Sequence, residues 1–597
     1  MGVKSGAPKA NSRPGIYVGQ ALALLVMALL AYLPSFRVPF QYDDVGLIEH
    51  NQYIRISSLS PANLARAGIQ DYKQNRPVSN LSFALNYYFG GLDPFGYHLV
   101  NFVILILTAA GIWLLMRKLL LRLGFDPFRS GLAGWMTALI WAAHPVNTQA
   151  VTYIIQRHTS LSGAFCIWSL FFFHLGAEQG RATRFFYALS GISCALALLC
   201  KETALTLPLI ILAYKLYFFD EFKPGWLRRN WKWIMGLMLF YLAASAFALR
   251  PSMLERLSYY FGMMQFSAGQ RLLTEFRVLV WYPLLVIFPL PCNLSLVHEF
   301  GVSTSLLHPV TTLIDMILVS GLVFAALVWA RQRKLFSFAV VWYFGLLLVE
   351  ALPLPIELAH EHRLYLASLG IIAPLACAPV LKIEKFGRAF ILLVLIAIFF
   401  AGFTRERNSV WQSGEGLWKD TIEKAPYSSV AWYNYCTALP VETKCDRVIN
   451  ACSRALESYE NDYRVYNNVG YCHLQSGRLD DAEKYLAAAS RVVSKKSINA
   501  ENLSIQDRQE MGAIDFNLGN IYMIKKEYEK AAKSYEAAIK NNPVDHEARR
   551  NLALALSKSG KCEQALELIE KAPAPSEEFK KVIEDCNRQK PRPPGQE

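Results

Sequence analysis

The sequence predicts an all-α protein in two parts: a polytopic membrane domain of about eleven helices, then a soluble solenoid of paired helices. Three observations predict it. Apolar runs of 16–22 residues recur from Gly15 to about Phe403, whereas the chain beyond Arg405 is polar and charged. Basic residues cluster at alternate connections between those runs. Between about 430 and 575 the pattern of small and large residues repeats every 34 positions. At 597 residues the chain is too long for one compact core.

The first apolar run follows Lys4, Lys9 and Arg13 and ends near Leu33. No small-residue cleavage site follows it, so it reads as an uncleaved first span with a cytoplasmic N-terminus. Further spans are expected at roughly 98–116, 131–143, 160–176, 184–200, 203–219 and 233–250. The basic clusters are Arg117/Lys118/Arg122/Arg129, Arg181/Arg184, Lys223/Arg228/Arg229/Lys232, Arg331/Arg333/Lys334 and Lys382/Lys385/Arg388. Placing all of them in the cytoplasm fixes the late spans at 310–330, 336–352, 364–381 and 389–403. The apolar stretch from about Val278 to Pro291 is short for a span, and crossing there would put every later basic loop on the wrong side. It reads as a re-entrant or interfacial helix, and the C-terminus lies outside.

This topology gathers an unusual set of residues on the outer face. The first outer loop, 35–97, holds Tyr42-Asp43-Asp44, an amphipathic stretch Pro61–Gln70 and Asn75-Arg76-Pro77. The second holds His144-Pro145-Val146-Asn147 and Gln156-Arg157-His158. The third is a tight hairpin at Lys201-Glu202, and the last holds Glu357 and His360-Glu361-His362-Arg363. Each has a structural alternative: Lys201-Glu202 as an interfacial anchor, Arg363 as a snorkelling side chain, His144 as a satisfied helix-end residue. Together they form a face of carboxylates, cations and imidazoles above an apolar domain, suited to an amphiphile with a charged head. Ionisable residues at a membrane boundary are functional candidates by default.

The repeat region has a small first-helix position at Cys436, Gly470, Gly519 and Ala553. Second-helix positions read Val448, Ala482, Ala531, Ala565 and Ala455, Ala489, Ala538, Ala572. The gap between Gly470 and Gly519 carries a 15-residue insertion around 493–507, and Asn542-Pro543 closes one repeat. Small residues let antiparallel helices approach while Tyr466, Tyr485, Tyr522 and Tyr535 fill between them. This is the tetratricopeptide pattern, in about four repeats, the first interrupted by Pro440; such arrays bind peptides or proteins. The expected domains are 1–405 (membrane), 406–429 (connector), 430–587 (repeats) and a disordered tail at 588–597.

Five cysteines (Cys166, Cys194, Cys200, Cys292, Cys377) lie in or beside apolar runs, where a thiol acts as a small hydrophobe. Six lie in the repeats: Cys436, Cys445, Cys452, Cys472, Cys562 and Cys586. Their even number in a domain placed outside suggests disulfides. Cys436 and Cys452 fall at facing positions of one repeat, but six cysteines allow fifteen pairings and the connectivity stays open.

Other chemistries fit less well. The net charge of +14 sits largely in loops that set orientation, and no nucleic-acid motif accompanies it. His360-Glu361-His362 lacks the spacing that puts two ligands on one helical face, and neither a phosphate-binding glycine loop nor a hydrolase elbow is present.

The chain resembles the transmembrane-and-tetratricopeptide-repeat O-mannosyltransferases and their prokaryotic relatives, within the C-type glycosyltransferase fold. The residues that carry the resemblance are Tyr42-Asp43-Asp44 with Asn51, Arg76-Pro77-Val78-Ser79-Asn80-Leu81-Ser82, and Gly91-Leu92-Asp93-Pro94-Phe95-Gly96-Tyr97-His98-Leu99-Val100-Asn101. His144-Pro145-Val146-Asn147-Thr148-Gln149-Ala150-Val151, Lys201-Glu202 and Glu361-His362-Arg363-Leu364-Tyr365-Leu366 continue it. The resemblance implies a transferase using a polyprenyl-phosphate-linked sugar, the acidic pair at the active site and the repeats on the catalytic side.

A sugar on a lipid phosphate is already activated, so the enzyme must deprotonate an incoming hydroxyl and stabilise charge on the leaving phosphate. Asp43 and Asp44 are the candidate bases, with Asp44 placed ahead, and attack opposite the leaving group inverts the anomeric carbon. Arg76, Lys201 and Arg363, with Arg157, His158 and His362, are expected around the donor phosphate. Glu202, His144 and Glu361 complete the outer face. No cofactor is required; a divalent metal at Asp43 and Asp44 is the alternative, but two carboxylates do not specify a site. The expected partners are the lipid-linked sugar, a protein acceptor held by the repeats and the bilayer, with no nucleic acid. The expected location is a bacterial or archaeal plasma membrane in preference to the endoplasmic reticulum, with the repeats extracytoplasmic. Two readings compete: the same fold glycosylating a glycolipid or surface polysaccharide, and a non-catalytic membrane scaffold.

Overall fold

A computed structural model of the chain describes residues 14–70, 75–264, 266–383, 387–457, 462–498, 505–570 and 577–589. Lys4, Lys9, Arg13, Lys385, Ala572 and most of the expected tail lie outside them. The described residues are all-helical and divide into two compact units, Met1–Asp420 and Thr421–Glu597.

In the first unit, eight of the described helices are long and apolar enough to cross a membrane. They are Gly15–Arg37, Pro94–Arg122, Ile154–Ala177, Thr183–Cys200, Glu202–Asp220, Trp226–Ala248, Thr311–Val328 and Gly387–Val410. Glu361–Ala367 and Leu369–Lys382, bent by 47°, make a ninth if they count as one span. The two other expected spans are shorter helices, Pro127–Ala143 and Lys334–Leu347. Pro127–Ala143 is buried at every position from Ser130 onward, so it is the central staff against which Pro94–Arg122, Leu369–Lys382 and Gly387–Val410 pack. Local chemistry sets the starts: Asp93 and Asp126 accept from the first free N–H groups, and each is followed by proline at the first helical position.

The stretch expected to be re-entrant is part of a longer helix, Ala268–Ile287, which a reciprocal Ser267–Gln270 capping box starts ten residues earlier than the apolar run begins. Pro61–Ile69 is an amphipathic helix capped by Ser60. The connection after Pro127–Ala143, expected outside, is no open loop: Pro145–Asn147, Thr148–Thr152 and Ile154–Gln156 are short, mostly buried helical turns. The first unit extends past the expected boundary at 405, because helix Gly387–Val410 continues and Trp411 is fully buried.

The second unit holds four helix pairs: Ser429–Ala438 with Cys445–Leu456, Tyr463–Gln475 with Leu479–Ile498, Ile505–Ile524 with Tyr528–Asn541, and His546–Lys558 with Cys562–Glu570. Glu577–Gln589 closes the array. The small positions are needed: a Cβ on Gly519 would lie 2.5 Å from the Tyr535 ring. Pro440 acts after its helix has ended at Ala438. The expected insertion lengthens two helices to 20 residues each, Leu479–Ile498 and Ile505–Ile524; its middle, 499–504, lies outside the described residues. The structure pairs Cys436–Cys452, Cys445–Cys472 and Cys562–Cys586, while Cys166, Cys194, Cys200, Cys292 and Cys377 are free thiols.

Candidate active site

The acidic pair sits on a tight turn. Tyr42 takes the left-handed conformation, φ +51°, and the Asp44 N–H donates to the Gln41 carbonyl at 2.9 Å. A non-glycine residue in that region stores strain that the surroundings must hold in place. Here the Tyr42 ring lies edge-on to Trp418 at 5.2 Å and beside Tyr153. The turn sends the two carboxylates into different environments.

Asp44 is 1% exposed. Its oxygens accept from the N–H groups of Gln41 at 3.1 Å and Ile155 at 2.7 Å. Burial nonetheless outweighs these donors and pushes its carboxyl up to about 8. Asp43 reaches solvent, and its N–H donates to the Tyr153 hydroxyl at 3.0 Å. Crowding by protein atoms lifts its carboxyl above the ordinary range, and the Tyr153 hydroxyl opposes that shift.

The segment Tyr153–Thr159 is the hub. Tyr153 holds Asp43, Ile155 holds Asp44, and the Thr159 hydroxyl accepts from the Lys201 ammonium at 3.1 Å. Ile155 and Thr159 are four residues apart, about 6 Å of helical rise, so Asp44 and the first cation are held about one turn of backbone apart. Arg157 locks the hub. Its three nitrogens donate to Asn101 (2.6 Å), Asn86 (2.6 Å), Ser82 and the Tyr97 carbonyl (2.9 Å), and its guanidinium lies 4.5 Å from the Phe83 ring centre. It is a buried clamp rather than a ligand in waiting, which removes the basis for expecting it at a phosphate.

The other cations are paired. Arg76 makes a bidentate contact with Glu202, at 2.7 and 3.2 Å. Lys201 contacts Glu350 at 2.9 Å, and Arg363 Nε lies 4.0 Å from the other Glu350 oxygen. Arg363 also donates to the carbonyls of Leu358 and Glu357 at 2.8 and 2.6 Å. Thr159, Lys201, Glu350 and Arg363 line one cavity of about 40 Å³. His158 is buried beside them with both ring nitrogens unpartnered, under the charges of Arg76 and Lys201.

The remaining candidates fasten the scaffold. His144 Nε2 meets the Val286 carbonyl at 2.9 Å while Nδ1 accepts from Val146, and burial lowers this imidazole to about 4, so it is neutral. Glu361 accepts from the Ser295 N–H at 2.6 Å and faces His298 at 3.1 Å. His362 stacks on His360 and approaches Gln149 at 3.3 Å. Among the described residues no group of three or more His, Cys, Asp or Glu gathers as a metal site.

Sequence reading missed Tyr153, Thr159 and Glu350. Glu350 carried a readable signal, an acid inside an expected apolar span. Tyr153 and Thr159 carried none, since both fit ordinary helix-end positions.

Comparison with known proteins bears on both units. A tetratricopeptide-repeat model matches residues 445–491, and a TPR-repeat model matches 519–560. The chain is 32% identical over 209 residues to protein O-mannosyl-transferase tmtc2 of Xenopus laevis, covering 33% of this chain and 24% of that protein. It is 32% identical over 228 residues to TMTC1 of Mus musculus (35% and 24%) and 28% over 243 residues to Tmtc3 of Drosophila melanogaster (36% and 26%), both named as protein O-mannosyl-transferases. The chain thus spans about a quarter of the length of the curated relatives it matches. Two helical units, the second built of tetratricopeptide repeats, and this shared third of the sequence make the chain a distant homologue of the transmembrane-and-tetratricopeptide-repeat protein O-mannosyl-transferases.

Proposed function

We propose that the chain is an integral membrane glycosyltransferase that moves a sugar from a polyprenyl-phosphate donor to a Ser or Thr hydroxyl of a protein acceptor. The observation that carries this reading is the Tyr153–Thr159 hub, which ties an exposed carboxylate to a buried cation pair within seven consecutive residues. The names of the matched relatives support it and make mannose the first sugar to test.

Asp43 is the base in this reading and Asp44 its positioning residue, reversing the order the sequence suggested. Asp43 faces solvent, whereas Asp44 has both oxygens bound to backbone. Asp43 takes the acceptor proton, the acceptor oxygen bonds to the anomeric carbon, and the sugar–phosphate bond breaks with its electron pair going to the phosphate. A base with a raised pKa suits the task, because proton transfer is best driven near the working pH. Lys201 and Arg363 neutralise the leaving phosphate. No residue in this scheme calls for a cofactor.

In this reading Pro127–Ala143 and Lys334–Leu347 cross as well as the eight long helices and the bent pair, eleven spans with the repeats opposite a cytoplasmic N-terminus. Three disulfides in the repeats agree with an oxidising compartment. The decisive experiment is sugar transfer from a polyprenyl-phosphate mannose to acceptor protein, read by glycopeptide mass spectrometry, with Asp43→Asn as the control. Undiminished transfer by that variant would overturn the assignment.

A further inference from the structure

We propose that Glu350 sets the charge of the head-group cavity so that it accepts a lipid-linked phosphodiester and lets go of the phosphomonoester that transfer leaves behind. The inference rests on the donor class proposed above. It begins with the cavity shared by Thr159, Lys201, Glu350 and Arg363. Two cations face one carboxylate there, with Lys201 and Arg363 on opposite oxygens of Glu350. All three charged side chains are at most 10% exposed.

The neighbouring ion pairs lie outside the lining: Arg271 meets Glu275 at 2.7 Å, with the guanidinium fully buried, and Arg76 meets Glu202 at 2.7 Å. The charged side chains that line the cavity, Lys201, Arg363 and Glu350, sum to one net positive charge. Glu350 cannot drift out of this balance, because Arg271 grips its segment from behind. Arg271 donates to the carbonyls of Glu350 (2.9 Å), Leu352 (3.1 Å), Ile356 and Glu357 (3.3 Å). The segment is irregular backbone, and Arg363 holds its far end through the Glu357 and Leu358 carbonyls.

Charge counting across the reaction then separates substrate from product. The donor is a phosphodiester with one negative charge. When the anomeric carbon–oxygen bond breaks, the electron pair stays on phosphate and the acceptor proton goes to Asp43. The lipid product is a phosphomonoester, carrying about 1.5 to 2 negative charges near neutral pH because its second pKa is about 6. A buried site neutralises one charge well and leaves an excess charge uncompensated, which is costly where water is excluded. The same arithmetic disfavours diphosphate-linked lipids. Without Glu350 the cavity would carry two positive charges and would hold the product.

The test is binding in detergent micelles with two probes, farnesyl phosphate as monoester and farnesyl phosphoryl mannose as diester. Wild type should bind the diester more tightly. Glu350→Gln should tighten the monoester at least about tenfold and the diester less, because the more highly charged monoester loses more repulsion when the carboxylate is removed. Glu350→Asp keeps the charge and should keep the wild-type order. Lys201→Gln combined with Glu350→Gln returns the net charge to one and should restore the preference even at lower absolute affinity. Equal changes for both probes in a Glu350→Gln protein of unaltered melting temperature would overturn the inference, as would failure of the wild type to bind either probe. Charge-selective binding without sugar transfer would instead sink the proposed transferase activity and leave the cavity assignment standing.

Discussion

At the scale of single residues, adjacent identical side chains do different work because the left-handed Tyr42 turns one outward and one inward. Asp43→Asn should lower transfer about 10²–10⁴-fold with an unchanged melting temperature, the usual cost of a lost base. The acidic limb of the wild-type pH–rate profile should lie above the ordinary aspartate value of about 3.9, since its surroundings raise Asp43. Asp44 should instead govern stability. Its folded pKa of about 8 exceeds the unfolded value, so the folded state holds the extra proton, and that stability is lost as pH rises towards 8. The loss amounts to about 1.4 kcal/mol per pH unit over that window. Melting curves of wild type and Asp44→Asn compared from pH 6 to pH 8 should diverge, with wild type falling faster; parallel curves would show that Asp44 keeps its charge. The acidic pair was legible in the sequence because two carboxylates at the mouth of an apolar run stand out. Which of them meets the acceptor was not, since that depends on a backbone dihedral. Arg157 was misjudged for a similar reason. A sequence shows a guanidinium on the outer side but not that Asn86, Asn101, Ser82 and Tyr97 have already taken its three nitrogens.

At the scale of elements, hydropathy located the helices well and their ends poorly. The apolar run beginning at Val278 is the second half of a helix whose first half carries Arg271 and Glu275, charges that look like loop until they pair across one turn. The turns between His144 and Arg157 are buried although their sequence reads as a connection, because the Asn101 side chain satisfies free backbone carbonyls there. Asn101 donates to the Val151 carbonyl at 3.0 Å and to that of Ile154 at 3.5 Å. Close helix contacts were not legible at all. A Cβ on Gly370 would lie 2.7 Å from the Ala339 carbonyl, so Gly370→Val should force helices Lys334–Leu347 and Leu369–Lys382 apart. Overpacking of this kind costs roughly 1–3 kcal/mol. The expected readout is a lower melting temperature of the detergent-solubilised protein, accompanied by weaker binding of farnesyl phosphate, because Leu346 of one helix and Tyr365–Ala367, just before the other, line the cavity that holds Arg363.

At the scale of the whole molecule, the repeat period was legible because small residues recur at fixed spacing, whereas the cysteine connectivity needed the fold. Deleting 421–597 should reduce modification of a full-length acceptor protein far more than transfer to a short peptide, if the array raises the local concentration of acceptor. Equal losses for both would assign the array a structural role. A reporter fused after Glu597 and active only in the cytoplasm would overturn the eleven-span topology. The disulfides have a mechanical corollary. Cys436–Cys452 and Cys445–Cys472 bolt the first two helix pairs, and Cys562–Cys586 bolts the last pair to the closing helix. The intervening run from Gly477 to Ser559, with the two elongated helices, contains no cysteine. Repeat arrays are springs in series, each unit coupled only to its neighbours. A spring bolted at both ends yields in the middle, so a pull on this array, or the wedge of an unfolded chain, would be taken up where helix Leu479–Ile498 of the second pair meets helix Ile505–Ile524 of the third, while the two ends hold their shape.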